Sequence, residues 1–392
     1  MPGPRKARRR EAVENDARIL SAALATIDSV GVDRLTTVGV AKAAGLTTGA
    51  MYARYEHQNE LLVDVWQQRS QPEVRELVCA AVAVRRTRGD AAALERLVAL
   101  MREPSAALRV GTQLMVVTRR IDELADVVPA DVRSMIEEAG IPADQPSGEH
   151  VAQLGLVCVA LGAVFLSSIP GTPDVDWAPI AKYFAGDGPP SAQHWAPAPA
   201  YTGALAREPD DPVLDALLHS GQQVIARSGV ERATLTRIGR AARLSPTVVY
   251  TRYDNREALI VDIIRLIYRT IITPELRTML YSSPEMMALG LSTWASNQGE
   301  ARRRLTMEVV LASAHHPRLA EIAVETDDRA RQGAADLLAE RYGSRETAAD
   351  ILFFGTAGAD GVAMLLDVGV DLVGVDWRPF TALVVGGAMA DV

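Results

Sequence analysis

Residues 35–55 read LTTVGVAKAAGLTTGAMYARY, and residues 233–253 read ATLTRIGRAARLSPTVVYTRY. The two stretches belong to a longer repeat, because residues 19–66 align with residues 217–264 at an offset of 198 and without a gap. More than a dozen aligned positions are identical, including both Tyr residues of each stretch. The chain therefore contains a duplicated segment.

A second match lies far downstream in each copy. VDWAP occupies residues 175–179 and VDWRP occupies residues 375–379, at an offset of 200. The duplication therefore covers units of about 200 residues rather than a single motif. Between the copies, segment 186–209 is rich in Gly and Pro and has almost no apolar periodicity, so we predict a linker there.

Length and composition indicate the class of fold. The chain has 392 residues, which is too long for one ordinary domain, and its 48% hydrophobic and 23% charged residues are typical of a soluble globular protein. Aromatic residues reach only 5%, and the helix formers Ala, Leu, Arg and Glu dominate, so we predict an all-α fold. Two cysteines and the lack of an apolar signal core in residues 1–30 predict a reduced, cytoplasmic protein.

The net charge of −8 conceals two locally basic segments. Residues 1–66 hold nine Lys and Arg against eight Asp and Glu, and residues 210–269 hold nine against seven. Such asymmetry is compatible with an anionic partner. Half of the first ten residues are basic, a pattern that suits either a solvated tail or a nucleic-acid-binding arm: Arg5, Lys6, Arg8, Arg9 and Arg10.

The first copy contains two short helices joined by a tight turn. Thr36 or Thr37 can cap the first of them, Gly45 suits the left-handed turn, and Thr47 can cap the second, which we predict to reach about Arg54. This is the spacing of a helix-turn-helix, whose second helix enters the major groove of DNA.

Small residues at the start of that second helix would let it approach base edges and phosphates closely. They are Thr48, Gly49 and Ala50. Tyr52 and Tyr55 are three residues apart and share a helix face, so one ring can pack inward while the other hydroxyl reaches a phosphate.

The second copy repeats this pattern with two changes. Ser245 can cap its second helix and Pro246 suits the first helical position, but Arg243 replaces the turn glycine, at a cost of about 1 kcal/mol if the left-handed conformation is kept. Five arginines make this copy the more basic one: Arg237, Arg240, Arg243, Arg252 and Arg256.

Together these stretches resemble the DNA-binding heads of the TetR family of bacterial transcriptional regulators. The resemblance covers residues 35–55 with Glu60-Leu61-Leu62, and residues 233–253 with Leu259-Ile260. It implies that Tyr52 and Tyr250 contact phosphate and that a basic residue begins the fourth helix. Arg256 meets that pattern, whereas Gln58 does not.

The DNA-binding residues predicted from the motif and from the resemblance fall into three groups. They are Arg5, Lys6, Arg8, Arg9 and Arg10 in the arm; Thr37, Thr47, Thr48, Gly49, Ala50, Tyr52 and Arg54 in the first head; and Thr236, Arg237, Ser245, Pro246, Thr247, Val248, Tyr250, Arg252 and Arg256 in the second head. We find no phosphate-binding glycine loop, serine nucleophile elbow, HExxH or paired-cysteine motif, so we expect no enzyme activity, no cofactor and no metal.

The resemblance also implies a domain order. We predict a basic arm (1–10), a first helix-turn-helix domain (11–66), a first helical effector and dimerisation domain (67–185), the linker (186–209), a second helix-turn-helix domain (210–266) and a second helical effector and dimerisation domain (267–392). The homodimers of the family pair their last two helices in a four-helix bundle. We therefore expect residues 147–185 to pair with residues 344–390, so that one chain forms a pseudo-dimer; a four-headed assembly of two chains is the alternative.

A membrane span also has to be considered. The stretch 151–169 is apolar and uncharged, but the matching stretch near 351–370 contains Asp360 and Asp367, which a lipid-facing helix would not tolerate. We therefore predict a buried helix and no membrane partner. Similarly, His315-His316-Pro317 suits a helix end better than a metal site.

These features predict a ligand-responsive repressor that binds an imperfect inverted-repeat operator in double-stranded DNA and responds to a small-molecule effector. The sequence assigns no contact to that effector. Two other interpretations stay open. The chain could be a helical ligand-binding protein or an enzyme with degenerate heads, or only one of its two heads could bind DNA.

Overall fold

The computed structural model describes residues 4–172, 174–175, 177, 204–272, 284–342 and 345–389. Within these ranges the chain is helical and contains no β-strand, which confirms the predicted all-α fold class. The predicted linker lies largely outside the described residues, which resume at Ala204.

The first ten helices precede the linker. They are α1 (Pro4–Val30), α2 (Thr37–Ala43), α3 (Thr48–Tyr52), α4 (Gln58–Val65), α5 (Gln71–Arg86), α6 (Ala91–Arg102), α7 (Ala106–Val117), α8 (Asp122–Ala125), α9 (Val128–Glu138) and α10 (Glu149–Leu166). The described helices after it are α11 (Pro212–Ser228), α12 (Leu235–Ala241), α13 (Pro246–Arg252), α14 (Arg256–Ile267), α15 (Pro284–Ala295), α16 (Glu300–Ser313), α17 (Pro317–Tyr342), α18 (Arg345–Asp367) and α19 (Arg378–Met389).

The two heads, α1–α4 and α11–α14, bury the same positions of the repeat. In both, the first helix packs against the second and the fourth, and the second packs against the third. The buried side chains of the first head include Leu20, Ile27, Val40, Met51 and Leu61, and those of the second head, 198 residues further on, are Leu218, Ile225, Ile238, Val249 and Leu259. The repeat in the sequence is therefore also a repeat in packing.

The predicted arm is continuous with the first helix. α1 begins at Pro4, so residues 4–10 are part of a helix whose buried side chains begin at Ile19. Arg and Ala are good helix formers, and a proline in the first turn loses no needed hydrogen bond, so a helix can begin before its apolar stripe.

Helix α10 lies in the protein core. By length and composition it is the one helix among the described residues that could cross a membrane. However, 89% of its 18 residues, Glu149–Leu166, are buried inside the protein. Its neighbours are α5, α6, α7, α18 and α19. A helix that is apolar all round and covered on all sides is expected in a large core, which agrees with the predicted buried helix.

Helices α10 and α18 pack with their backbones in contact. A Cβ atom added to Gly162 would lie 1.8 Å from the carbonyl oxygen of Ala357, and one added to Gly361 would lie 1.9 Å from that of Cys158. The two contacts interchange when residue numbers are shifted by 199, since 162 becomes 361 and 158 becomes 357. Reciprocal contacts of this kind are what a two-fold axis produces.

The same pairing brings Trp177 onto α18. The centroid of its ring system lies 5.8 Å from that of Phe353, with the rings edge to face. Residues 178–185, the rest of the first segment predicted to form the four-helix bundle, lie outside the described residues. The described parts of the two predicted bundle segments therefore meet through α10, Trp177, α18 and α19.

Candidate nucleic-acid interface

The short helices α3 and α13 are exposed, and each has an N-cap residue directly before its first helical residue. Thr47 Oγ1 accepts a hydrogen bond from the backbone N–H of Ala50 at 3.1 Å, and Ser245 Oγ accepts one from that of Val248 at 3.4 Å. The preceding helices are capped in the same way by Thr36 and Thr234. Thr36 rather than Thr37 is therefore the cap of α2. In each head, two side-chain caps therefore fix the starts of the second and third helices.

The turn between the second and third helices has the same geometry in both heads. Gly45 has a φ of 64° and Arg243 has a φ of 58°. The next residue closes the turn in each case, from Leu46 N to the Ala41 oxygen and from Leu244 N to the Gly239 oxygen, both at 2.9 Å. Arg243 thus keeps the left-handed conformation despite its cost of about 1 kcal/mol.

One side chain anchors each of these helices, and the predicted DNA-binding residues around it are exposed. Met51 is buried in α3 and Val249 is buried in α13. The exposed residues are Thr47, Thr48, Gly49, Ala50, Tyr52 and Arg54 in the first head, and Ser245, Pro246, Thr247, Tyr250 and Arg252 in the second, with Val248 half-buried. The sequence-predicted residues of each helix are therefore accessible to solvent, apart from the half-buried Val248.

One tyrosine of each pair is exposed and the other is buried, as predicted, but Tyr55 and Tyr253 lie beyond the ends of α3 and α13, so the two tyrosines do not share a helix face. Tyr52 and Tyr250 are 54% and 53% exposed, whereas Tyr55 and Tyr253 are 2% and 5% exposed. Burial raises the pKa of both inner phenols, which stay neutral donors. Each inner hydroxyl donates to a carboxylate nine residues further on: Tyr55 to Asp64 Oδ2 at 2.7 Å, and Tyr253 to Asp262 Oδ2 at 3.0 Å.

The arginine between the two tyrosines is held by carboxylates. Arg54 Nε lies 3.1 Å from Asp16 Oδ1, and Arg252 Nη1 lies 2.7 Å from Asp211 Oδ2. Both arginine side chains are more than 40% exposed, so these ion pairs contribute little stability, about 0–1 kcal/mol each. A phosphate could replace a carboxylate as the partner at small cost.

Other predicted residues lie beside the third helices rather than on them. Thr236 and Arg237 are exposed in the first turn of α12, and Thr37 is half-buried at the start of α2. Arg256 begins α14, but its Nη1 donates to the backbone oxygen of Glu231 at 2.8 Å and to its Oε2 at 3.1 Å. The side chains of the arm, Arg5, Lys6, Arg8, Arg9 and Arg10, lie outside the described residues.

Sequence reasoning did not predict a buried ion cluster beneath the heads. Arg120 Nε lies 3.0 Å from Glu308 Oε1, and its Nη1 lies 2.6 Å from Asp33 Oδ1. Arg119 lies 3.8 Å from Glu308 Oε1 and 3.4 Å from Asp367 Oδ2. The only sequence signal is a charged residue in an otherwise apolar stretch, as at Asp367.

Glu308 gives this cluster a pH dependence. Its side chain is 1% exposed, and burial raises its pKa to about 7 although Arg120 and Arg119 oppose the shift. A carboxyl whose pKa is raised on folding holds its proton more tightly in the folded state, so stability falls as pH rises from about 4.5 to about 7. Glu308→Gln should remove a fall of about 3 kcal/mol, measured as the free energy of urea unfolding at low and neutral pH.

The exposed Glu321 provides the control for this measurement. Glu321→Gln also removes one carboxylate from the second half of the chain but leaves the buried cluster intact. We expect it to keep the pH slope of the wild-type protein. A Glu308→Gln variant with the wild-type slope would show that Glu308 ionises normally.

A scan of the sequence against protein-family models finds no match, and a search of curated proteins finds none either. The repeated geometry of the two heads is therefore the feature on which a functional proposal depends.

Proposed function

We propose that this chain is a DNA-binding transcriptional regulator similar to the TetR family, acting in the cytoplasm as a ligand-responsive repressor. One observation carries the proposal: the same capped, exposed helix, with one exposed and one buried tyrosine, occurs twice at positions 198 residues apart. A helix needed only for stability would not have to keep an exposed tyrosine in both copies. Two helices that each enter a major groove would need such a tyrosine in both copies.

The chemistry of the exposed face suits DNA. Tyr52 and Tyr250 offer hydroxyl donors, and the methyl groups of Thr48, Thr247 and Val248 suit the thymine methyl group in the major groove. With no arginine or asparagine at the start of either helix, DNA shape would supply a large share of specificity.

We propose that the two heads of one chain read the two halves of one operator. The reciprocal contacts of Gly162 and Gly361 support a pseudo-two-fold arrangement within the chain. Because the exposed residues of α3 and α13 differ, the two half-sites would differ too. The operator would therefore be an imperfect inverted repeat.

A cleft in the second half supports the effector part of the proposal. It has a cavity volume of about 690 Å³ and lies between α11, the end of α14 and α17. Leu218, Tyr268 and Ile322 line it together with charged side chains such as Arg265 and Glu325. Small-molecule sites have volumes of this order. A ligand that favours one arrangement of the heads over another by a few kcal/mol could release DNA.

Selection of bound duplexes from a random DNA pool tests the proposal. We expect enrichment of imperfect inverted repeats whose half-site centres lie about one helical turn apart, roughly 10–11 base pairs or slightly more. Affinity for them should fall steeply with salt, since phosphate contacts release counterions. Absence of any enriched duplex, or binding that ignores salt, would contradict the proposal and favour a helical ligand-binding protein with degenerate heads.

A further inference from the structure

The two heads touch each other directly at the turn that follows their first helices. In the first head this turn is Val32–Arg34, and the matching residues of the second head are 230–232. Arg34 Nε donates to Glu231 Oε1 at 2.7 Å, across the boundary between the heads. The cavity left between the two turns measures about 20 Å³, room for about one water molecule.

Glu231 is the centre of this contact. His316, from the loop between α16 and α17, donates from Nε2 to the same carboxylate oxygen at 2.7 Å, and its Nδ1 lies 3.1 Å from Arg34 Nη2. Arg256 adds a third donor to Glu231. Burial opposes ionisation of Glu231, but the three hydrogen bonds outweigh it and hold its pKa below the ordinary value.

The matching acid of the first head is anchored on the other side. Asp33 corresponds to Glu231 in the repeat, and Arg120 binds it with two hydrogen bonds, of 2.6 and 2.9 Å. The Arg120 side chain is only 8% exposed. Both heads are therefore tied, through their own turn, to side chains that follow α7 and α16.

Two glycines let these side chains approach. Gly31 and Gly229 end the first helix of each head with φ values of 88° and 81°. A Cβ on Gly31 would lie 2.7 Å from the His315 ring, and a Cβ on Gly229 would lie 3.2 Å from Arg120 Nη1. The backbone thus leaves space for a side chain from outside the head. We call Asp33, Arg34, Arg120, Glu231, Arg256 and His316 the head junction.

We infer that the head junction holds the two DNA-facing helices at one separation, so that it selects a single half-site spacing in the operator. The spacing part of this inference rests on the proposed function, because it has meaning only if the heads bind DNA. A change in head separation must break the Arg34–Glu231 contact, and although the Arg34 side chain is 44% exposed, Glu231 is 24% exposed and would lose one of three donors. If the heads were connected only through the helices that follow them, their separation could change without breaking a contact between the heads.

The first test measures the distance between the heads without DNA. Lys42 and Arg240 are exposed, equivalent positions on α2 and α12, so Lys42→Cys and Arg240→Cys can carry spin labels. Cys79→Ser removes the exposed native thiol, while Cys158 is buried. We expect a narrow distance distribution that widens by about twofold in Arg34→Gln and in Glu231→Gln, as independent domain motion is released.

The second test measures spacing preference. Duplexes selected by the unmodified chain are rebuilt with the half-sites moved by one or two base pairs. The wild-type protein should lose about tenfold in affinity or more, because one head can no longer make its contacts when the other is in place. Arg34→Gln and Glu231→Gln should bind the original duplex nearly as well, but lose less than about threefold when the spacing changes.

A neighbouring ion pair supplies the matched control. Arg318 and Glu321 pair at 2.6 Å on the exposed face of α17, two residues beyond His316. Arg318→Gln removes the same kind of charge as Arg34→Gln but should leave both the distance distribution and the spacing preference unchanged. Unfolding curves for all variants check that each remains folded.

The outcomes separate the two claims. A distance distribution and a spacing preference that do not change in Arg34→Gln and Glu231→Gln would overturn the role of the head junction, even if DNA binding holds. Failure of the wild-type chain to bind any duplex would instead overturn the proposed function and the spacing role with it. Wider distances together with relaxed spacing would support the inference.

Discussion

Gly162→Ala and Gly361→Ala should each lower the free energy of unfolding by about 3 kcal/mol, the upper part of the range for overpacked cores. The added methyl group would lie 1.8 Å from a backbone oxygen in the first case and 1.9 Å in the second. A flexible side chain could move away, but a helix backbone cannot. Helices α10 and α18 must therefore separate, and the contacts along both helices weaken together.

Gly355 provides an internal control in the same helix. A Cβ added there meets nothing within 4 Å. Alanine is the better helix former, so Gly355→Ala should raise the free energy of unfolding by up to about 1 kcal/mol. Urea unfolding of the three variants gives the comparison. If all three change stability in the same direction and by the same amount, α10 and α18 do not make this contact in solution.

Thr48→Asp and Thr247→Asp should each weaken operator binding by about 100-fold. Both threonines are exposed near the start of the third helix of their head. A carboxylate there would face phosphates at a few ångströms, where like charges repel by about 1–4 kcal/mol. The same carboxylate favours a helix N-terminus, so the head should remain folded.

Asparagine variants show whether the loss of affinity comes from the charge or from the size of the new side chain. Thr48→Asn and Thr247→Asn introduce side chains of the same size as Asp without the charge, and we expect them to lose less than about fivefold in affinity. Binding is measured on the duplexes selected from the random pool. Equal losses for Asp and Asn would remove electrostatic contact with phosphate as the cause. A loss confined to one head would show that only that head binds DNA.

Local features of the heads were predictable from the sequence because they depend on short spacings. Thr47 and Ser245 cap their helices, Gly45 adopts the left-handed turn, and Tyr52 is exposed while Tyr55 is buried. The caps and the glycine turn follow from the conformational range of one residue type, whereas the outward position of Tyr52 was implied by the family resemblance. The all-α class followed from composition in the same way.

Partners distant in the chain were not predictable. Nothing in the spacing of Arg252 indicates that Asp211 holds it, and nothing links Arg34 to Glu231, which is 197 residues away. Arg256 is the first residue of the helix that was expected to begin with a basic residue, yet its side chain donates a hydrogen bond to Glu231. Ion pairs depend on how packed bodies meet, and that is set by the whole core rather than by a local pattern.

The contact between α10 and α18 joins two halves of one polypeptide, and this has a consequence for behaviour in dilute solution. Two separate subunits come apart when their concentration falls below the dissociation constant, but covalently connected halves remain neighbours at any dilution. A target that needs both halves would thus be occupied in proportion to the first power of protein concentration.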